Sequence, residues 1–197
     1  VFLVGYLYLI ARTNMLGPFW LGVYSLGVSI ALAISKVCCL GFKLPIVKSV
    51  ALHANSGNKA KLTNFLRFSL GLPFLVSLAM MLVVFFFAKH IAINIFHNEN
   101  FIWPLKVFSF TIPLIVLQGL FISVYQGLKD MRGLNFLTLV QATTVFFFFL
   151  IFSNFFKEKI WAAVVAFFCS YLISATLATV GLNKKLTIVG GKPQQFQ

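Results

Sequence analysis

Residues 78–88 read Leu-Ala-Met-Met-Leu-Val-Val-Phe-Phe-Phe-Ala, without one charged or hydrogen-bonding side chain. Residues 145–152 form a second such run, Val-Phe-Phe-Phe-Phe-Leu-Ile-Phe. Neither run alternates between apolar and polar residues, as a strand of a membrane barrel does. Both lie in apolar stretches of about 20 residues, which is the length of helix that crosses the hydrocarbon core of a bilayer. They therefore predict membrane-spanning helices.

The composition of the chain supports the same fold class. Of its 197 residues, 60% are apolar, and 16 Lys and Arg stand against only 3 Asp and Glu. Charged residues make up 10% of the chain, whereas they make up roughly a quarter of a soluble domain. We therefore expect an all-α integral membrane protein.

Hydropathy divides the chain into six helices, of which the first is short. Residues 1–10 would reach only ~15 Å as a helix, and the chain begins with Val1 rather than Met. We expect a first helix that is truncated, although a signal peptide is the alternative reading of these residues. A transmembrane bundle over residues 1–182 and a cytoplasmic tail over 183–197 are predicted. The five full-length spans are predicted at 19–42, 67–88, 101–128, 134–153 and 160–182.

The connecting segments differ in their content of Lys and Arg, which predicts the orientation. One side has ten such residues, in 43–67, 129–133 and the tail. The other side has four, namely Arg12, Lys89, Lys157 and Lys159. The richer side is cytoplasmic by the positive-inside rule, which also makes the N-terminus cytoplasmic. A short helix at the membrane surface is expected near residues 46–53.

Two lysines, Lys36 and Lys106, fall within predicted spans. A charge at the centre of a bilayer costs about 2.5–3.5 kcal/mol, so such a residue is a candidate functional residue, although both lysines are near enough to a helix end to snorkel. Lys36 shares a helical stripe of small and hydroxyl residues that suits a hydrated cavity. The members of this stripe are Gly22, Ser25, Ser29, Lys36 and Lys43. Lys106 instead shares its stripe with apolar residues.

Other polar and small residues in the spans predict packing between helices rather than chemistry. Ala166, Ser170, Ser174 and Ala178 recur every four residues and indicate a face for close helix contact. Hydrogen bonds between helices are expected from five residues of the fourth and fifth helices: Gln118, Gln126, Asn135, Thr138 and Gln141.

The acidic residues are Glu99, Asp130 and Glu158, and all three are predicted to lie in loops. No carboxylate is therefore predicted within the bilayer to support acid–base or metal chemistry, and the cysteines lack metal-ligand spacing. We expect neither enzymatic activity nor a metal or cofactor. The net charge of +13 implies an anionic partner, for which lipid headgroups at the cytoplasmic face suffice; no nucleic-acid partner is expected.

Residues 10–26 read Ile-Ala-Arg-Thr-Asn-Met-Leu-Gly-Pro-Phe-Trp-Leu-Gly-Val-Tyr-Ser-Leu. This block resembles polysaccharide-unit flippases, the O-antigen and capsule transporters of the multidrug/oligosaccharidyl-lipid/polysaccharide exporter superfamily. Their pattern A-R-x-L-G-P-x-x-x-G-x-Y-x-L is kept except for the longer Thr13-Asn14-Met15 insert. Leu40-Gly41-Phe42 and Gln126-Gly127-Leu128-Lys129 are similar to the family's second-helix and fourth-helix exits.

The resemblance implies two six-helix halves around a cavity that opens alternately to each side of the bacterial cytoplasmic membrane. It implies a cargo of undecaprenyl-diphosphate-linked oligosaccharide, and it makes this chain an N-terminal half whose tail leads to the second half. Lys36 is then the predicted contact of the diphosphate, aided by Arg12 near the outer mouth. Ser25, Ser29 and Lys106 are the other candidate substrate contacts.

Two kinds of alternative remain open at this point. A drug/cation antiporter or a lipid II flippase has the same implied fold. A membrane scaffold, or the membrane domain of a lipid-modifying enzyme, belongs to a different class and has no hydrated path through the bundle.

Overall fold

The computed structural model describes residues 2–39, 41–56, 59–156 and 158–189, and no strand occurs in these ranges. A π-helical turn, Ile91–Ile95, and a 3₁₀ turn, Glu99–Phe101, lie between the third and fourth helices. The α-helices of the described chain are α1 (Phe2–Cys38), α2 (Lys43–Ser56), α3 (Lys59–His90), α4 (Ile102–Gly127), α5 (Met131–Phe155) and α6 (Lys159–Val189).

The described helices provide five stretches that are long and apolar enough to cross a membrane. They are Leu3–Cys38, Asn64–Ile95, Glu99–Gly127, Met131–Phe155 and Lys159–Leu182. The prediction of an all-α membrane protein is thereby confirmed.

Two segments that were predicted as loop or tail are largely helical. The basic segment 43–67 contains α2 and the beginning of α3, so the helix expected near 46–53 is longer than predicted. At the other end of the chain, α6 continues beyond residue 182 to Val189, whereas residues 190–197 lie outside the described part. Hydropathy marks where a helix leaves the apolar core of the membrane, and the helix itself continues into the polar region.

The first two predicted helices are joined at Gly17 without an intervening loop. Gly17 has φ 74° and ψ 167°, a combination that is essentially restricted to glycine. We call residues 2–16 α1a and residues 18–38 α1b. The predicted end of the first helix at residue 10 was therefore wrong, and the second helix ends at Cys38 rather than at residue 42.

α1a folds back along α1b at this bend. The hydroxyl groups of Tyr8 and Tyr24 lie 3.0 Å apart, although a straight helix would separate residues 16 positions apart by ~24 Å. The two segments are thus antiparallel neighbours.

The central helix of the bundle is α4, which packs against all five other α-helices of the described chain. The ring of Phe108 lies so close to Gly27 that a Cβ at that glycine would overlap it. On α6, the predicted face of small residues is buried, which confirms its role in packing. The exposed fractions are 0% for Ala166, 1% for Ser170, 0% for Ser174 and 0% for Ala178.

The helix α2 lies against the last turns of α4. Ile46 and Val50 are fully buried there, and a Cβ at Gly127 would be 2.7 Å from Cβ of Val50. This glycine therefore allows the two helices to approach closely, which holds α2 at one end of the bundle.

Candidate functional site

One face of α1b carries polar and small residues that the rest of the described chain leaves uncovered. Ser25, Ser29 and Lys36 are all exposed, and a Cβ added at Gly22 would meet nothing within 4 Å. At 100° per residue these four positions lie within about 60° of one another. The predicted stripe is therefore a real, continuous face, which we call the α1b polar face.

The opposite side of α1b is the packed side. Tyr24 and Ala31 are each 1% exposed, and Val23 is 4% exposed. Tyr24 makes an edge contact with Phe108 of α4, with 5.6 Å between ring centroids. Because this apolar side faces the bundle, the α1b polar face points away from it.

The groups of the α1b polar face retain hydrogen-bonding capacity. Ser25 Oγ donates to the Gly22 carbonyl at 2.9 Å, which leaves the lone pairs of the hydroxyl free to accept. Among the described residues, Lys36 has no carboxylate within ion-pair distance. This face therefore offers one cation without a counter-ion, Lys36, which lies two turns of helix beyond the hydroxyl group of Ser29.

Lys43, which was predicted to extend this stripe, does not belong to it. The helical periodicity stops at Cys38, and Lys43 is the first residue of α2. The end of its side chain lies beside α4, where a Cβ at Gly119 would be 3.2 Å from Lys43 Nζ.

Arg12 lies between α1a and α1b, away from the α1b polar face. Its guanidinium carbon is 5.4 Å from the centroid of the Tyr8 ring and 4.6 Å from that of Tyr24. Such cation–π contacts stabilise a cation that is partly removed from water. The Nε atom of Arg12 is buried without a hydrogen-bond partner. These contacts with the two tyrosine rings explain why α1a, which was predicted to end at residue 10, continues past Arg12.

Lys106 lies on α4, where it contacts aromatic rings. Its Nζ is 4.9 Å from the centroid of the Trp103 ring and 5.5 Å from that of Phe85 on α3. The side chain is half-buried. It shares a seam between α3 and α4 with these rings, and it is not part of the α1b polar face.

The two membrane lysines are far apart. Gly27 and Phe108 fix the register of α1b against α4, and the helices run in the same direction, since α2 follows α1b and begins beside the second half of α4. Lys36 follows Gly27 by nine residues, and Lys106 precedes Phe108 by two. At 1.5 Å per residue, ~16 Å along the helix axes separates the lysines. The structure does not bring them into one site.

A polar cluster in the interior joins α4, α5 and α6. Gln118 is 3% exposed, and its Nε2 donates to Oε1 of Gln141 and, at 3.0 Å, to Oγ of Ser174. The prediction of hydrogen bonds between helices is confirmed for Gln118 and Gln141. The sequence predicts Ser174 only as a small residue of the α6 face, because helical spacing does not show which hydroxyl a neighbouring amide reaches.

Gln141 also lines a cavity of about 200 Å³ between α1a, α5 and α6. Its polar lining consists of hydroxyl and amide groups without a charge. The lining residues are Tyr8, Thr138, Gln141, Ala142, Val145, Phe167 and Ser170. The hydroxyl group of Thr138 donates to the Leu134 carbonyl, and that of Ser170 donates to the Phe167 carbonyl. Both hydroxyl donors are therefore paired within their own helices.

Within the described residues, no group of three or more His, Cys, Asp or Glu is placed to hold a metal ion. Cys38 and Cys39 are buried and free, and Cys169 is half-buried and free. The described polar groups of the α1b polar face can bind a ligand by hydrogen bonds and by positive charge.

A sequence profile for a family described as "Polysaccharide biosynthesis protein" matches residues 1–196, nearly the whole chain. The chain belongs to the polysaccharide biosynthesis protein family. This confirms the resemblance found at residues 10–26. Neither a curated protein nor a solved structure matches the chain. As a polysaccharide biosynthesis protein with five apolar helices of membrane-spanning length, the chain is a multi-pass membrane protein.

Proposed function

We propose that this protein translocates undecaprenyl-diphosphate-linked oligosaccharide across the bacterial cytoplasmic membrane by alternating access. The observation that carries the proposal is the α1b polar face, an uncovered row of small and hydroxyl residues with Lys36 near its end. Membership of the polysaccharide biosynthesis protein family supports a role in making or exporting a polysaccharide. In the two-half arrangement that the resemblance implies, this face lines the path between the halves.

The charge of the cargo explains why such a face is needed. A diphosphate that crosses a bilayer must exchange its water shell for other partners, because an unpaired ion in an apolar medium is prohibitively costly. Lys36 supplies a compensating charge, while Ser25 and Ser29 supply hydrogen bonds. A single cation compensates part of the charge without holding the cargo so tightly that release becomes slow.

The proposal assigns the contact with the diphosphate to Lys36. Arg12 and Lys106, the other cations predicted from the sequence, are away from the α1b polar face and already contact aromatic rings. Arg12 acts through the α1a–α1b hairpin, which sets the direction in which α1b presents its polar face.

The test uses the source cell with the intact gene deleted and then restored. Accumulation of undecaprenyl-diphosphate-linked oligosaccharide together with loss of surface glycan places the block at translocation. When the gene is restored with Lys36→Ala, lipid-linked oligosaccharide should still accumulate and surface glycan should stay low. When it is restored with Lys48→Ala, at an exposed lysine of α2, export should return to normal. Full export by Lys36→Ala removes the assignment of Lys36. Unchanged glycan after deletion contradicts the flippase and favours the antiporter.

A further inference from the structure

The seam between α3 and α4 carries a second cationic feature, at the end of the bundle where the π-helical and 3₁₀ turns connect these helices. Lys106 Nζ lies between two rings, 4.9 Å from the centroid of Trp103 and 5.5 Å from that of Phe85. Phe85 also makes an edge contact with Phe110, at 5.6 Å between centroids. We call these four residues the α3–α4 seam site.

The surroundings of this site are apolar and open to the outside of the bundle. Trp103 is 65% exposed, Phe110 is 45% exposed, and the adjacent Phe86 is 75% exposed. In a membrane-spanning chain, apolar side chains exposed in this way contact lipid. A tryptophan near the end of a spanning helix is typical of the level of the lipid headgroups.

A second lysine belongs to the same end. Lys89 follows Phe85 by one turn, on the same side of α3, and its side chain is exposed. The contacts of Phe85 with both Lys106 and Phe110 place the two helices side by side, so Lys89 lies at the headgroup side of Lys106. Two acidic residues lie at this end, Glu99 in the 3₁₀ turn and Glu158 just before α6. Among the described residues, neither forms an ion pair with Lys89 or Lys106.

We propose that the α3–α4 seam site binds an anionic phospholipid. Lys106 and Lys89 contact the headgroup phosphate, and an acyl chain lies over Phe86 and Phe110. Two positive charges against one negative charge favour an anionic headgroup over a zwitterionic one, and the exposed aromatic surface favours a lipid over a phosphate from water. The site is at the opposite end of the bundle from α2, and it gives Lys106 a partner other than the transported cargo.

Trp103 provides a direct test, because brominated acyl chains quench tryptophan fluorescence only on contact. The whole chain, with Trp20→Phe and Trp161→Phe so that Trp103 alone reports, is placed in vesicles with increasing fractions of brominated phosphatidylglycerol or brominated phosphatidylcholine. A lysine near an anionic surface contributes about 1 kcal/mol, equivalent to a factor of about five in affinity. We expect phosphatidylglycerol to be preferred at Trp103 by at least that factor.

The substitution Lys106→Gln should reduce this preference about fivefold, and Lys106→Arg should preserve it. Lys89→Gln is a second variant that should also lower it, and Lys48→Gln, on α2, is the control that should not change it. Quenching by brominated phosphatidylcholine shows that each variant has inserted. Equal quenching by the two lipids in the parent chain, or an unchanged preference in both glutamine variants, would overturn the proposal.

Discussion

The hydroxyl groups of Tyr8 and Tyr24 lie 3.0 Å apart across the bend at Gly17, and the guanidinium of Arg12 lies over both rings. The three side chains connect α1a to α1b at the level of the packed core, where Tyr24 is 1% exposed. The direction of the α1b polar face therefore depends on a contact that lies on the other side of the helix.

The conformation of Gly17 predicts a large effect of a small substitution. Gly17→Ala should destabilise the protein by about 1–3 kcal/mol, because φ 74° with ψ 167° is open essentially only to glycine. The measurement is the thermal unfolding of the detergent-solubilised chain, followed by circular dichroism. Gly5→Ala, in the ordinary helix of α1a with open space around it, should be neutral or slightly stabilising. Equal unfolding temperatures for the two variants would contradict the bend.

The contact between Arg12 and Tyr24 predicts an energetic coupling. In a double-mutant cycle of Arg12→Gln and Tyr24→Leu, the coupling free energy should be about 0.5–2 kcal/mol, the range of partly desolvated cation–π pairs. A parallel cycle of Arg12→Gln with Phe19→Leu, at an exposed ring, should give no coupling. The unfolding free energies of all variants decide the result, and a coupling near zero in the first cycle would exclude the contact.

The Gln118 network predicts non-additive substitutions. Gln118→Leu and Gln141→Leu should each cost about 0.6–1.7 kcal/mol, as hydrogen bonds between membrane helices do, and the double variant should cost less than the sum because they share one bond. Gln126→Leu is the matched control, since Gln126 is exposed. Additive costs in the unfolding measurement would show that the two amides act independently.

The α1b polar face predicts a pattern of access to water. In a chain with Cys38, Cys39 and Cys169 replaced by alanine, Ser29→Cys should react with a membrane-impermeant thiol reagent in the intact protein. Ser35→Cys should stay unreactive, because Ser35 is 4% exposed. If the cysteine at 29 is as protected as that at 35, the face contacts lipid or protein rather than a hydrated path, and a membrane scaffold becomes the better interpretation.

Hydropathy predicted the membrane helices because a bilayer favours apolar side chains on every turn of a helix that crosses it. It was wrong where a polar residue has a local partner: Arg12 ended the predicted first helix at residue 10, although the rings of Tyr8 and Tyr24 allow the helix to continue. A contact between residues on two segments has no signature in a hydropathy profile.

The candidate site was predictable in part for the same reason. Ser25, Ser29 and Lys36 share a face because helical periodicity alone places them together, and this was correct up to Cys38. Lys43 was outside it because the periodicity ends with the helix. The partners of Lys106 were not predictable, since Phe85 is on another helix and its alignment with α4 depends on tertiary packing.

The position of α4 at the centre of the bundle has a consequence for how the chain is made. A ribosome delivers α1, α2 and α3 to the membrane first, and all three pack chiefly against a helix that has not yet been synthesised. Until α4 arrives, the buried serines of α3 must be accommodated by lipid or by the insertion machinery. Between translation of residue 90 and residue 127, these three helices therefore lack the central partner that they pack against in the complete chain.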